Sequence, residues 1–362
     1  MERHWAEKDL GGGSKLDSII EEARLHAKLE NRLTGLGIGK ARILAVGVGG
    51  AGNNTINRLY TIGVRGVETI AVNTDAQHLE MTRANKKVLI GKETTRGLGA
   101  GGDPEIARRA AEESISELRE SMKGDMVFVA AGMGGGTGTG AAPVIARVAK
   151  ENGALVIGVV TLPFALERAR ISKARDGLKE LRKHCDTVVA IDNNKLLDLA
   201  PHLPVDEAFS VADEVLAQMV KGISETIALP SLINLDFADV KAVMGNGEVA
   251  MVGLGESNGR DRVRESVYSA LNNPLLEVDY SNCKGALIHI TGGPDMTLSE
   301  ANEVGEIVTE NMGPGAQVIW GARVDEEFMG RLRVMVIMTG VKYHNLISGG
   351  DEIVGELNIP KL

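Results

Sequence analysis

Residues 132–143 read GMGGGTGTGAAP, six glycines in twelve positions with Thr137 and Thr139 between them. The stretch follows an apolar run, DMVFVAAG, and precedes AAPVIARVAKENG, a helical pattern. Glycines between a strand and a helix let backbone N–H groups approach a phosphate, and the helix start adds the positive end of its dipole. A second loop, GVGGAG from Gly47 to Gly52, fits G-x-G-x-x-G after another apolar run. Taken alone it equally suits a dinucleotide-binding unit, with Asp75 in VNTDAQ near the place of a ribose-binding acid, so an NAD-dependent oxidoreductase is one candidate. That class has no requirement for GGGTGTG, nor for a third loop, TTRGLGAGGDP. Three glycine loops imply a phosphate chain approached from several sides, as a triphosphate needs, whereas close helix–strand packing accounts for one loop easily and for three poorly. The sequence contains no G-x-x-x-x-G-K-[ST], which excludes the P-loop class; threonine hydroxyls and backbone amides take the place of its lysine.

Around these loops, strand patterns alternate with helical ones. VETIAVN, MVFVAAG, ALVIGVV and TVVAID are apolar without alternation, and each is trailed by a helical segment. This predicts a parallel sheet covered on both faces, with ligands at the carboxyl ends of the strands. A long helix is expected over VDEAFSVADEVLAQMVKGISETIAL, with Phe209, Ala212, Leu216, Val220 and Ile223 on one stripe. Beyond it EVAMVGLGES, RDRVRESVYSALNN, GALIHIT, QVIWGARV and RVMVIMTG read as a second, smaller α/β unit. The expected division is a helical extension over 1–40, a nucleotide-binding domain over 41–205, a connecting helix over 206–230, a smaller domain over 231–342 and a tail over 343–362.

The 362 residues suffice for two domains, and a net charge of −9 without a basic run argues against nucleic acid as a partner. Cys185 and Cys283 stand far apart and outside any C-x-x-C spacing, as expected in a reducing cytoplasm. The start MERHWAEKDLGGGSKL lacks the apolar centre of a signal peptide, and GALVIGVVTLPFAL is too short to span a bilayer, so a soluble cytoplasmic protein is expected. The seven histidines show no metal-ligand spacing, and His289, inside a strand pattern, reads as a packed core residue.

GVGGAGNN, VNTDAQ, TRGLGAGGDP, GGGTGTG, TLPF..E, NLDFADV and GALIHITGG, in this order, resemble the bacterial and archaeal FtsZ family of cell-division GTPases, relatives of tubulin. The chain is archaeal-like, and the resemblance spans residues 40–341. It implies a tubulin/FtsZ-like α/β fold, GTP and GDP as ligands with Mg²⁺ held by their phosphates, and head-to-tail homopolymers at a division site. By resemblance Gly49, Gly50, Ala51, Gly52 and Asn53 bind phosphates together with Gly134, Gly135, Gly136, Thr137, Gly138, Thr139 and Gly140. Ala100, Gly101 and Gly102 match the loop that senses the γ-phosphate, and Glu167 the ribose-binding acid. Asn193, Phe209 and Asp213 match the guanine pocket. Phe209 offers a ring to stack on a base and Asp213 an acceptor for guanine N1 and N2 hydrogens, although Phe209 also fits the helix core.

Asn234, Asp236 and Asp239 match the family's catalytic loop, which completes the site of the neighbouring subunit. Asp236 and Asp239 also suit a plain role as acids at a helix start. If they are idle, the chain is a filament protein without turnover. Two departures stand out: Ser231 replaces a usual glycine, and Arg168 stands where glycine follows the glutamate, which makes Arg170 the counterpart of the phosphate-contacting arginine. The sequence stops at ELNIPKL without the terminal peptide that recruits membrane anchors in bacterial members, so the resemblance names no anchor.

Overall fold

Six strands form the first half of one sheet: β1 (Ile43–Val48), β2 (Val67–Asn73), β3 (Lys86–Leu89), β4 (Met126–Gly132), β5 (Leu155–Leu162) and β6 (Thr187–Asp192). They lie in the computed structural model, which describes residues 41–343 apart from 200–201, 230, 234, 246–247, 273–277, 280–282, 311 and 314. The expected extension over 1–40, the tail after Tyr343 and Asn234 fall outside the described residues. All neighbours among these six strands pair in parallel, in the order β3-β2-β1-β4-β5-β6.

The unalternating strand runs have a direct physical cause. Along β1, Ile43 and Ala45 belong to one apolar cluster while Leu44, Val46 and Val48 belong to another on the opposite face. Both faces are dry, so every position must be apolar. Helices α1 (Gly49–Ile62) and α8 (Val205–Ala228) cover the first face, through Ile56, Leu59, Leu216 and Val220. Helices α5 (Thr137–Glu151) and α6 (Arg168–His184) cover the second, through Ile145, Val148 and Leu181. Shorter helices, α2 (Ala76–Met81), α3 (Pro104–Glu113), α4 (Ile115–Ser121) and α7 (Asn194–Leu199), join the strands.

The second half adds α9 (Phe237–Met244), β7 (Glu248–Ser257), α10 (Arg262–Leu271), β8 (Val278–Asp279), β9 (Gly285–Gly292), α11 (Leu298–Thr309), β10 (Gln317–Val324), β11 (Leu332–Thr339) and β12 (Lys342–Tyr343). Its sheet is mixed: β11 runs antiparallel to both β7 and β9, while β9 and β10 are parallel. Two residue pairs, Thr187↔Glu248 and Val188↔Val249, join β6 to β7, so both halves form one ten-stranded sheet. The Thr187 hydroxyl donates to the Met244 carbonyl across that seam. No described helix is long and apolar enough to cross a membrane.

Candidate nucleotide site

In the parallel half, strand order reverses between β1 and β4, and the loops after these two strands leave side by side, Val48 pairing with Ala131. Such a switch point opens a crevice at the strand ends. GVGGAG leads into α1 and GGGTGTG into α5, and neither helix has a side-chain cap or an acid in its first turn. Their first N–H groups are therefore orphan donors aimed at one place, which suits an anion.

The glycines divide into two kinds. A Cβ at Gly52 would lie 2.2 Å from the Ala130 carbonyl oxygen, and one at Gly140 would lie 1.9 Å from that of Pro104. These two let α1 sit against strand β4 and α5 against the first turn of α3. At Gly50 and Gly135 a Cβ would meet nothing within 4 Å, so packing does not require glycine there, whereas Gly101 and Gly102, also in open space, adopt positive φ (59° and 75°) and need glycine for the backbone itself. Open space beside bare backbone donors is what a ligand would fill.

The three loops hold one another. A Cβ at Gly136 would approach the Asp103 nitrogen and the Ala100 side chain to 3.1 Å. Thr74 and Thr137 hydroxyls are 2.7 Å apart, and the buried Thr139 hydroxyl accepts from the Gly134 N–H at 2.8 Å. Lys173 on α6 donates to the Gly102 carbonyl at 2.7 Å. Asp75 accepts from the His78 N–H at 3.0 Å and bridges to Leu98 through its backbone, so it supports the third loop from outside the cleft.

A cleft of about 670 Å³ runs from these loops to α8. Of the expected residues, Gly50, Ala51, Gly135, Gly136, Thr137, Gly138, Glu167, Arg170, Asn193, Phe209 and Asp213 line it. Gly49, Gly52, Asn53, Ala100, Gly101, Gly102, Gly134, Thr139 and Gly140 stand behind or beside that lining rather than on it. Sequence reading missed Asn54, Thr161, Pro163 and Ser210, which line it as well. Asn54 closes GVGGAGNN and Thr161 and Pro163 belong to TLPF..E, so these motifs held the signal, while Ser210 arrives only as the neighbour of Phe209.

At the α8 end, Phe209 is 42% exposed and meets the edge of Phe164 with centroids 5.5 Å apart. It is not a core residue, although it begins the apolar stripe. Asn193 is buried to 6% exposure, and its Oδ1 has no partner. The Asn53 amide is also buried with neither polar atom satisfied. Buried polar atoms without partners are costly and point to a missing ligand or water. Asp213 accepts from the Thr55 hydroxyl at 2.9 Å, and burial pushes its carboxyl up to about 6. Glu167 is doubly engaged, by Arg170 at 2.6 Å and by the Phe164 N–H at 3.0 Å.

Asp236 and Asp239 lie elsewhere. They start α9 as a reciprocal capping box, and neither lines the cleft. A second cleft, about 730 Å³, lies between α8 and strands β9–β11. His289 lines it at 8% exposure with Nε2 unpartnered, and burial pulls its ring down to about 4. Among the described residues no group of three or more His, Cys, Asp or Glu could hold a metal ion.

Residues 42–201 match the family described as Tubulin/FtsZ family, GTPase domain, and residues 248–342 match FtsZ family, C-terminal domain. Fold and cleft thus define a GTPase-domain protein of the tubulin/FtsZ class, which sets the dinucleotide reading of GVGGAG aside. Cell division protein FtsZ 2 of Methanocaldococcus jannaschii is 62% identical over 328 residues, 90% of this chain and 86% of that one. Cell division protein FtsZ 1 of Pyrococcus furiosus is 58% identical over 304 residues, 83% of this chain and 82% of its own length. The chain belongs to the FtsZ family of cell-division GTPases. An empty FtsZ dimer from M. jannaschii superposes with a TM-score of 0.81 at 48% identity, covering 92% of this chain and 99% of that one. A GTPγS-bound protofilament of CetZ2 from Haloferax volcanii gives 0.70 at 25% identity, covering 83% and 93%.

Proposed function

We propose that the chain binds GTP and GDP in the glycine cleft and hydrolyses GTP only where two subunits meet head to tail. The phosphates would lie against Gly49–Asn53 and Gly134–Gly140, with Ala100, Gly101 and Gly102 meeting the terminal one. Glu167 would take the ribose, Arg170 a phosphate, and Asn193, Phe209 and Asp213 the guanine. Mg²⁺, held by the phosphates and water, would neutralise charge as it develops.

One observation carries the shared-site reading: the cleft has donors but no acid free to direct a water, while the acids stand outside it. Of the lining carboxylates, Glu167 is tied to Arg170 and Asp213 stands at the base end. Asp236 and Asp239 sit past the far end of α8, a helix of 24 residues and so about 36 Å long. In the capping box each keeps one carboxylate oxygen without a described partner. Those oxygens, with Asn234, would orient a water toward the γ-phosphorus of the subunit below. Water forms the new P–O bond, the bond to the β-phosphate oxygen breaks, and GDP leaves with inorganic phosphate.

Assembly of this kind is heterologous and open-ended, a filament rather than a closed ring. The dimeric FtsZ and protofilament CetZ2 structures among its relatives support self-association. We assign the filament to cell division at the cytoplasmic division site, with no nucleic acid as partner. The working units are 41–205, the helix 206–230 and 231–342, in keeping with the separate family matches. The test is turnover per chain against protein concentration. A threshold is expected; strict proportionality down to monomer concentrations would mean that each chain holds a complete site.

A further inference from the structure

Thr55 and Asp213 lie 158 positions apart, on α1 and α8. Thr55 is 2% exposed, on the helix whose first turn faces the phosphate loops. Its hydroxyl has one proton and two acceptors within reach, the Ala51 carbonyl at 3.3 Å and Asp213 Oδ1 at 2.9 Å. The shorter, charge-assisted bond takes the proton. No other described hydrogen bond reaches the Asp213 carboxylate. Its charged surroundings are few: Arg58 on α1, which is committed to Glu214, and, elsewhere on the cleft lining, Glu167 and Arg170, which are tied to each other.

We propose that Thr55 is a positioning residue for base recognition: it holds one oxygen of Asp213 and leaves the other turned to the cleft in a single orientation. The inference rests on the reading of Asp213 as the guanine acceptor. Guanine offers N1–H and an exocyclic N2–H to a carboxylate; hypoxanthine offers N1–H alone. A carboxylate free to rotate would engage both hydrogens less often, so the preference for guanine would shrink. The hydroxyl also stabilises the ionised form against the burial that favours the acid. Once protonated, Asp213 places a donor where the base needs an acceptor, so Thr55 also sets the pH at which the base is held.

The full chain carrying Thr55→Val, Thr55→Ala or Thr55→Ser would be titrated with GDP and IDP by calorimetry between about pH 5 and 8. The valine and alanine variants are expected to bind GDP about three- to tenfold more weakly at neutral pH. Their pH midpoint moves upward, and their preference for GDP over IDP narrows. Serine restores all three. Folding is read from the thermal transition of the nucleotide-free chain, and alanine serves if valine does not fold. Wild-type midpoint and wild-type preference in the folded valine or alanine variant would overturn the role of Thr55. Asp213→Asn separates the two levels. If it changes neither GDP affinity nor the preference for guanine, the guanine assignment falls and takes this inference with it. If Asp213→Asn weakens GDP while Thr55→Val and Thr55→Ala do not, only the role of Thr55 is lost.

Discussion

The Asp236 carboxylate accepts the backbone N–H of Asp239 at 2.8 Å, while the Asp239 carboxylate accepts that of Asp236 at 3.0 Å. Each acid therefore satisfies an orphan donor at the start of α9 and is held in place by doing so. Asparagine at 239 keeps an acceptor of the same shape and loses the charge. Asp239→Asn should leave the melting temperature nearly unchanged yet lower GTP turnover by about a hundredfold or more. Asp236→Ala should lose about 1 kcal/mol of stability as well, as missing N-caps do. Thermal melts beside phosphate release decide this. Wild-type turnover in Asp239→Asn would confine the pair to capping.

The two kinds of glycine predict opposite behaviour on adding a methyl group. Gly140→Ala drives a Cβ into the Pro104 carbonyl and should destabilise the fold by about 1–3 kcal/mol. Gly135→Ala meets open space and should leave the nucleotide-free protein as stable as wild type. Its methyl group occupies the volume assigned to phosphate, so GTP affinity should drop severalfold. Chemical denaturation and nucleotide binding, measured on both, check it. Equal affinity in Gly135→Ala would place the phosphates elsewhere.

Phe209 contributes little to the core, since it is 42% exposed and touches Phe164 only edge-on. Phe209→Ala should cost roughly 1–3 kcal/mol in nucleotide binding, the scale of base–aromatic stacking. The melting temperature of the nucleotide-free chain should hardly move. A collapsed melt with unchanged affinity per folded molecule would reassign Phe209 to packing.

Asp213 and His289 should oppose each other in pH-dependent stability. Asp213 titrates near 6 in the folded protein against 3.8 ordinarily, so the folded state binds the extra proton and loses stability as pH rises from about 4 to 6. His289 titrates near 4 against 6.5, so there the unfolded chain binds the extra proton and stability is lost as pH falls from about 6.5 to 4. Over this window the two slopes partly cancel. Asp213→Asn should expose the loss on acidification, and His289→Gln should remove it, each by up to about 2–3 kcal/mol. Urea unfolding of both variants from about pH 4 to 6.5, the window the two titrations share, measures the slopes. Identical pH slopes in Asp213→Asn and wild type would mean that Asp213 is not protonated near 6.

Much of this molecule was legible from order and composition. Strands buried on both faces need apolar side chains, so β1, β4, β5 and β6 announce themselves as nearly continuous apolar runs, and β2 does so over residues 70–72. The long helix α8 carries a regular stripe, and Asp236 with Asp239 marks a helix start because three-residue spacing suits a cap. Short elements escaped. β3 has four residues, Lys86–Leu89, with only Val88 buried, and no period can be counted over such a length. The expected break between the two α/β units is crossed by two backbone pairs between β6 and β7, which carry no side-chain signature.

In the cleft, local chemistry determined the loops, because backbone approach to a phosphate demands glycine wherever it occurs. Only the tertiary structure decided which glycines serve a ligand and which serve packing, since that depends on what lies opposite each absent Cβ. The same holds for Phe209, whose stripe position reads as core and whose surroundings leave it open to the cleft. It holds most for Thr55, a commonplace residue in a helix, which acquires its role from a carboxylate 158 positions away. Periodicity and spacing report on neighbours along a chain; a contact between α1 and α8 exists only once both have packed on the same face of the sheet.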